Sequence, residues 1–100
     1  MNMDIDAIDF KNGDASATLY WYLDDPSVGY LADLKTTVSS RGQGLASKLI
    51  ETIKDKARQM NMEFLYLRVL NGTWMKNWYE RIGFSPILID GDYSWMKFSL

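Results

Sequence analysis

Two residue types with special chemistry are missing from this sequence of 100 residues, which contains no cysteine and no histidine. Without cysteine, disulfide bonds, thiolate metal sites and a cysteine nucleophile are excluded. Without histidine, the chain lacks the commonest general base and the commonest metal ligand. Ser-His-Asp hydrolysis and typical zinc catalysis are therefore excluded, and we expect no bound metal. Any chemistry must use carboxylates, hydroxyls, lysine, arginine and backbone groups.

Positive charge and long apolar segments are also scarce. The net charge is −2, whereas a nucleic-acid-binding protein normally shows a basic face. No apolar run approaches the ~20 residues of a membrane-spanning helix. The acidic segment Met1–Asp6 lacks the basic and then apolar pattern of a signal peptide. We therefore expect a cytoplasmic protein with no nucleic-acid or membrane partner.

The apolar residues that are present, 47% of the chain, are enough for the core of one domain covering residues 1–100. Their spacing predicts the order βββ-α-β-α-ββ, a mixed α/β (α+β) fold in which an antiparallel meander precedes a strand-helix-strand unit with parallel strands. Strands are predicted over residues 3–10, 15–23, 28–38, 63–70, 84–90 and 93–100. Helices are predicted over residues 45–60 and 73–82.

The first predicted helix has the clearest amphipathic pattern. Its apolar stripe consists of Leu45, Leu49, Ile50, Ile53, Ala57 and Met60. The charged residues from Glu51 to Arg58 are expected to form its exposed face. Three tryptophans, Trp21, Trp74 and Trp78, are expected to lie in the core or at an interface.

The turn that precedes this helix, Ser39–Gly44, has features of an anion site. The first N–H groups of a helix have no partner within the helix and, with the helix dipole, attract an anion. Glycines at 42 and 44 remove Cβ atoms, so that a phosphate oxygen can approach the backbone. Arg41 can add positive charge. Taken alone, the glycines are better explained by an ordinary tight turn, and Arg41 could be a solvated residue at the helix start.

Two motifs together resemble the GNAT superfamily of N-acetyltransferases. Arg41, Gly44 and Ala46 fill the fixed positions of its phosphate loop, Gln/Arg-x-x-Gly-x-Gly/Ala. About forty residues further on, the segment Trp78–Phe84 is similar to the family's Tyr-Glu-Lys-x-Gly-Phe segment. Both motifs lie in the expected order and in the expected strand and helix contexts. The resemblance covers roughly residues 15–100.

This resemblance implies an acetyl-CoA site and an acetyl transfer to an amine. The backbone of Gly42, Gln43, Gly44, Leu45 and Ala46 would bind the CoA diphosphate, with Arg41 beside it. The end of the third strand, at Thr36, Thr37 and Val38, would pair with the pantetheine arm. The thioester would lie where the strands 28–38 and 63–70 separate, and Tyr79 would be the general acid.

Three departures from the family pattern affect these expectations. The family usually begins with a strand and two helices that form one wall of the acceptor site, and this chain has no room for those helices. The acceptor side is then open or completed by a second subunit. Asn71 stands eight residues before Tyr79 instead of seven, although a contact of Asn71 with pantetheine is still expected. The third strand has no glutamate, so Asp33 is the candidate base.

Each catalytic candidate also has a structural alternative. Tyr79 lies on the apolar face of the second predicted helix and could be a core residue, and Asp33 could face solvent. The predicted function is transfer of acetyl to a protein lysine or another macromolecular amine, with a polyamine as a further possibility. The alternatives are a non-catalytic acyl-CoA-binding module and an interaction protein that binds no CoA.

Overall fold

The computed structural model describes residues 4–36 and 44–100. Within these residues, six strands and two helices follow in the predicted order, so the predicted fold class is confirmed. Neither described helix is long and apolar enough to cross a membrane. The elements are β1 (Ile5–Asn12), β2 (Ala15–Tyr22), β3 (Asp25–Lys35), α1 (Leu45–Gln59), β4 (Phe64–Leu70), α2 (Trp74–Arg81), β5 (Ser85–Asp90) and β6 (Tyr93–Ser99).

All six strands form one sheet in the order β1-β2-β3-β4-β6-β5. The predicted meander is present, since β1 pairs antiparallel with β2 and β2 antiparallel with β3. The predicted parallel pair is also present, between β3 and β4, and α1 connects these two strands. The chain then continues through α2 to the hairpin of β5 and β6, which pairs with β4 through β6.

The core lies on one face of the sheet, beneath both helices. Alternate residues of β2 and β4 are buried there, as period two requires. The predicted apolar stripe of α1 packs on them, and Tyr79 of α2 belongs to the same cluster. This two-layer arrangement buries the apolar stripe of each helix against the sheet.

The opposite face of the sheet carries aromatic side chains, and no described helix packs on it. The rings of Tyr20 and Tyr30 stack with centroids 5.1 Å apart, and the Tyr30 and Tyr66 rings are 5.9 Å apart. The Tyr22 ring meets the Tyr30 ring edge-on at 5.6 Å. Burial among these rings raises the pKa of the Tyr20 and Tyr30 hydroxyls, and the neighbouring tyrosines add to the shift.

Two strand boundaries differ from the prediction. β1 covers Ile5–Asn12 instead of residues 3–10, because its pairing with β2 continues to Asn12 opposite Ala15. β3 begins at Asp25, three residues before the predicted start at residue 28. Pro26 is tolerated because it precedes the first β3–β4 pair, Val28 with Phe64, so its missing N–H costs no bond to β4.

Lys54 was predicted to lie on the exposed face of the first helix, and that prediction was wrong. Its side chain is buried, with the residue only 3% exposed. The Lys54 ammonium donates hydrogen bonds to the Ile82 carbonyl (3.2 Å) and to the Glu51 carboxylate (3.2 Å). It also lies 3.9 Å from the centre of the Phe98 ring. Lys54 therefore joins α1 to the C-terminal end of α2.

Candidate active site

β3 contains a β-bulge near its C-terminal end, where its pairing with β2 becomes irregular. Ser16 pairs with Lys35 and Thr18 with Ala32, so two steps along β2 match three along β3. The additional residue is accommodated around Asp33, whose φ of 57° lies in the left-handed region. Aspartate adopts this conformation more readily than most residues. Bulges bend a strand and redirect its side chains.

β3 and β4 separate after only three paired positions. Val28, Gly29 and Tyr30 pair with Phe64, Leu65 and Tyr66, whereas β3 continues to Lys35 and β4 to Leu70. A cavity of about 210 Å³ lies between the separated strands. Its lining includes Asp33 from the bulge and Tyr79 from α2, so the structure brings the two predicted catalytic residues to one cavity. The complete lining is Leu31, Ala32, Asp33, Leu34, Leu67, Arg68, Val69, Leu70, Met75 and Tyr79.

Tyr79 is a core residue that also lines the cavity. Its interpretation as a core residue is therefore compatible with its interpretation as a general acid. The residue is 5% exposed, and its ring packs edge-on against Trp78 and Phe84. Burial raises the pKa of its hydroxyl from 10.0 to about 12. The hydroxyl therefore stays protonated at any physiological pH.

A larger cleft of about 820 Å³ adjoins this cavity, since Leu34 and Met75 line both. Its volume is within the usual range of ligand sites, about 300–1,000 Å³. One wall is the start of α1, and the other is α2. The lining consists of Leu34, Lys35, Thr36, Gly44, Leu45, Ala46, Ser47, Trp74, Met75, Trp78 and Arg81.

The start of α1 fits an anionic group of a bound cofactor. Gly44 is the N-cap with φ 75°, no side chain caps the helix, and the first turn holds no acid. The first intrahelical bond among the described residues joins the Lys48 N–H to the Gly44 carbonyl at 3.0 Å, so the amides of residues 45–47 have no partner within the helix. Apart from its neighbours in the chain, no described residue has an atom within 4 Å of where a Gly44 Cβ would stand. Among the described residues, the space beside Gly44 is therefore open to a ligand.

Apart from Asn71, the predicted cofactor residues divide into two groups. Thr36, Gly44, Leu45 and Ala46 all line the cleft, so the structure brings the end of β3 and the start of α1 together as expected. The others, Thr37, Val38, Arg41, Gly42 and Gln43, lie outside the described residues.

Asn71 is engaged within the protein instead. Its side-chain oxygen accepts a short hydrogen bond from the Ser94 hydroxyl, and its side-chain nitrogen donates to the Gly91 carbonyl at 3.4 Å. Its backbone N–H donates to the Asp92 carbonyl at 2.8 Å. These contacts fasten the end of β4 to the β5–β6 turn. Asn71 lines neither cavity, and its contact with pantetheine stays a prediction.

The contribution of α2 to the cleft was not predicted from the sequence. Trp21 is buried in the core as expected, but Trp74 is 51% exposed and lines the cleft, as does Trp78. Arg81 lines it as well. The signal was present in the spacing, because positions 74, 78 and 81 follow at i, i+4 and i+7 and so share one side of a helix.

The comparison with known families is decisive. Residues 7–84 match the sequence profile of the Acetyltransferase (GNAT) family. The chain belongs to this family. GNAT acetyltransferases use acetyl-CoA, so this chain is an acetyl-CoA-dependent N-acyltransferase, and the resemblance seen in the two motifs is confirmed. No curated protein sequence matches the chain significantly.

Solved structures of GNAT enzymes share the fold. An acetyltransferase from Bacillus cereus superposes with a TM-score of 0.78 at 16% identity, over 97% of this chain and 74% of its own. The ribosomal-protein-S18-alanine N-acetyltransferase from Escherichia coli superposes with a TM-score of 0.75 at 18% sequence identity, and the match covers 99% of this chain and 71% of that enzyme. PaiA N-acetyltransferase from Thermoplasma acidophilum, in complex with coenzyme A, superposes with a TM-score of 0.79 at 14% sequence identity. The match covers 86% of this chain and 53% of that enzyme. At these identities the likeness is one of fold.

Proposed function

We propose that this GNAT enzyme transfers the acetyl group of acetyl-CoA to an amine of a macromolecule, with a protein lysine as the preferred acceptor. The observation that carries the proposal is the opening between β3 and β4. It places Tyr79 and Asp33 at one cavity, beside a cleft with unpartnered helix amides. Acetyl-CoA supplies an acetyl group that is already activated as a thioester.

The cofactor is proposed to bind along the cleft, with its diphosphate at the start of α1. Backbone N–H groups of residues 42–46 would donate to the phosphate oxygens, and Arg41 would add charge. Each hydrogen bond to a charged oxygen contributes about 1.5–3 kcal/mol. The end of β3, at residues 36–38, is proposed to hydrogen-bond the pantetheine arm as a neighbouring strand would.

Tyr79 is proposed as the general acid. When the new C–N bond replaces the C–S bond, the leaving sulfur needs a proton or a strong hydrogen bond. A hydroxyl with a pKa of about 12 is fully protonated and can supply either. A free thiol has a pKa of about 8.5, which is lower than that of the Tyr79 hydroxyl. Complete transfer of the proton from Tyr79 to a thiolate in water would therefore be unfavourable. Burial in the site raises the pKa of the thiol for the same reason that it raises the pKa of Tyr79, so the difference between the two pKa values becomes smaller.

Asp33 is proposed as the base that accepts a proton from the incoming amine, directly or through water. A lysine with a pKa near 10.4 is neutral only about once in 2,500 molecules at pH 7, so removal of its proton is a real requirement. The bulge directs Asp33 to the same cavity as Tyr79. A carboxylate there also attracts the ammonium form of the acceptor.

The open sheet face favours a large acceptor. No described helix covers the aromatic side of the sheet, where Tyr20, Tyr30 and Tyr66 lie next to the separated strands. Aromatic faces attract ammonium groups as well as apolar chains. Among the structural neighbours, the Escherichia coli enzyme named above acts on a ribosomal protein, which shows that the fold accommodates a protein acceptor.

The proposal is tested by incubating the enzyme with isotopically labelled acetyl-CoA and three acceptor sets: a bacterial lysate, a lysine-containing peptide and spermidine. Mass spectrometry of the products and release of free thiol are measured together. Labelled lysines in proteins are the expected result. Labelled spermidine alone would contradict the macromolecular acceptor. Binding of acetyl-CoA without thiol release from any set would indicate the non-catalytic module instead.

A thermal shift experiment distinguishes the remaining alternative. At a ligand concentration 100-fold above its Kd, acetyl-CoA should stabilise the fold by about 2.7 kcal/mol. No change in Tm with millimolar acetyl-CoA would favour an interaction protein that binds no CoA.

A further inference from the structure

The face of the sheet that no described helix covers carries a group of tyrosine rings beside the opening between β3 and β4. This tyrosine face consists of four half-buried side chains from β2, β3 and β4: Tyr20, Tyr22, Tyr30 and Tyr66. Tyr30 and Tyr66 form the last β3–β4 pair before the two strands separate. The cavity in the opening is lined partly by Ala32 and Arg68, which lie on the same side of the sheet. An acceptor chain that reaches the cavity from this side therefore passes over the rings.

This side of the sheet already contacts cations of the protein itself. The Lys97 ammonium lies 3.7 Å from the centre of the Phe64 ring, and the Arg68 guanidinium lies 4.3 Å from the centre of the Tyr93 ring. Within the part of the chain that the structure describes, no cation lies over the tyrosine rings of β2 and β3. These rings can therefore receive a cation from another molecule.

The charge around the tyrosine face is strongly negative, unlike that of the rest of the chain. Residues 1–36, which include β1, β2 and β3, contain seven aspartates, no glutamate and two lysines, so their net charge is −5. Residues 37–100 contain nine basic and six acidic residues. Burial is the main cause of the raised pKa of the Tyr20 and Tyr30 hydroxyls, and the carboxylates of Asp33 and Asp25 respectively add to it. Among the described residues, neither of these carboxylates forms an ion pair.

We propose that the tyrosine face binds a basic segment of the protein acceptor, so that the enzyme selects lysines with further arginines or lysines close to them in sequence. This inference rests on the proposed acetylation of protein lysines. The aspartates attract positive charges over about 8–10 Å in solution, and the rings then hold them by cation–π contacts. Neutral tyrosine hydroxyls also accept hydrogen bonds from ammonium and guanidinium groups.

The positions of the charges predict where the basic segment lies. Arg68 and Lys97 repel it from β4 and β6, so it follows β3 from the opening toward Asp25. Tyr30 and Asp25 are separated by about 17 Å along the strand, which an extended acceptor segment covers with about five residues. Basic residues within about five positions of the acceptor lysine should therefore strengthen binding, and more distant ones should not.

The proposal is tested with three peptides that each have a blocked N-terminus and a single lysine. They differ in the residues close to the lysine on both sides, which include arginines, glutamines or glutamates. Thiol release from acetyl-CoA gives kcat and KM separately. At low salt, the arginine peptide should have a KM about tenfold or more below that of the glutamate peptide, with a similar kcat. The difference should become smaller at about 0.5 M salt, because ions screen the aspartates.

Substitutions on the tyrosine face connect this preference to the surface. Tyr22→Leu removes one ring and Asp25→Asn removes one charge, so each should raise the KM for the arginine peptide about two- to fivefold. Neither should change the KM for the glutamine peptide. Tyr22→Phe keeps the ring and should retain most of the affinity. Asp55→Asn, on the exposed face of α1, is the matched control and should leave both KM values unchanged.

Circular dichroism checks that every variant is folded. Equal KM values for the arginine and glutamate peptides would overturn the inference, while acetylation of lysine would stand. The inference is also overturned if Tyr22→Leu and Asp25→Asn raise the KM of all three peptides alike. If the unaltered enzyme acetylates none of the peptides, the proposed function fails, and this inference fails with it.

Discussion

Replacing Tyr79 by phenylalanine tests both the burial and the chemistry of one hydroxyl. Its pKa is 10.0 in an exposed tyrosine and about 12 in the folded protein, because burial disfavours the ionised form. The stability that comes from keeping the hydroxyl neutral is therefore fully present below pH 10 and is lost as the pH rises through 12. At pH 11 the unfolded chain is stabilised by ionisation and the folded chain hardly at all. This difference amounts to about 1.4 kcal/mol.

The assay is urea unfolding at pH 8 and pH 11. The unaltered protein should lose about 1.4 kcal/mol more free energy of unfolding between these pH values than Tyr79→Phe does. Other groups titrate in both proteins and cancel in the difference. Tyr93→Phe, at a position that is 38% exposed, is the control. Equal losses in the unaltered protein and Tyr79→Phe would show that the hydroxyl is not buried as described.

The same variant separates packing from catalysis. Tyr79→Phe keeps the ring between Trp78 and Phe84, so the fold and the Kd for acetyl-CoA should be retained. Turnover at pH 7 should fall about 10²- to 10⁴-fold, the usual contribution of a general acid. Turnover equal to that of the unaltered enzyme would refute the assignment of Tyr79 as the acid.

Substitutions at three further positions have defined outcomes. Gly29→Ala should destabilise the fold by about 1–3 kcal/mol in urea unfolding, because its Cβ would lie 2.7 Å from the Met62 sulfur. Unchanged stability would mean that the neighbouring core side chains move aside without loss of free energy. Lys54→Ala should lower the free energy of unfolding by about 1–3 kcal/mol, because the Ile82 carbonyl loses its hydrogen-bond donor. Lys54→Met keeps the apolar part of the side chain and should lower the free energy of unfolding by less. Equal losses in the two variants would exclude a role for the apolar part. Gly44→Val should weaken acetyl-CoA binding in titration and destabilise the start of α1 by about 1–2 kcal/mol, since its φ is 75°. Gly44→Asn should weaken binding with little loss of stability, and undiminished affinity in both variants would contradict the anion site.

The order of the elements could be predicted because burial and chain geometry agree along most of this sequence. β2 alternates strictly, with Ala15, Ala17, Leu19 and Trp21 all buried. The stop at Asn61 was also readable, because asparagine adopts the left-handed conformation that ends a helix and has φ 61° here. The two motifs also led to Gly44, Leu45, Ala46 and Tyr79, which line the cleft or the adjoining cavity, and the roles of these residues stay predictions.

Other features depend on tertiary contacts that no local pattern contains. The bulge at Asp33 arises from a mismatch between two strands, and a single strand does not show it. Lys54 was predicted to be exposed because it is charged, although its spacing from Ile50 and Ala57 is that of the buried stripe. The approach of Ile82 and Phe98, which the sequence does not show, provides a buried place for its charge. Trp74 reads as a core residue by composition, but the depth of the cleft beside it is set by α1.

The hydrogen bond from Lys54 to the Ile82 carbonyl holds the C-terminal end of α2 against α1. Residues 74 and 82 are eight apart, which corresponds to about 12 Å along a helix. A tilt of only about 5° at Ile82 would swing the Trp74 end by about 1 Å over that length. A misplacement of this size can reduce an enzymatic rate about 10²-fold. The hydrogen bond that Lys54 donates therefore bears on the width of the cleft between α1 and α2, although Lys54 lines neither cavity.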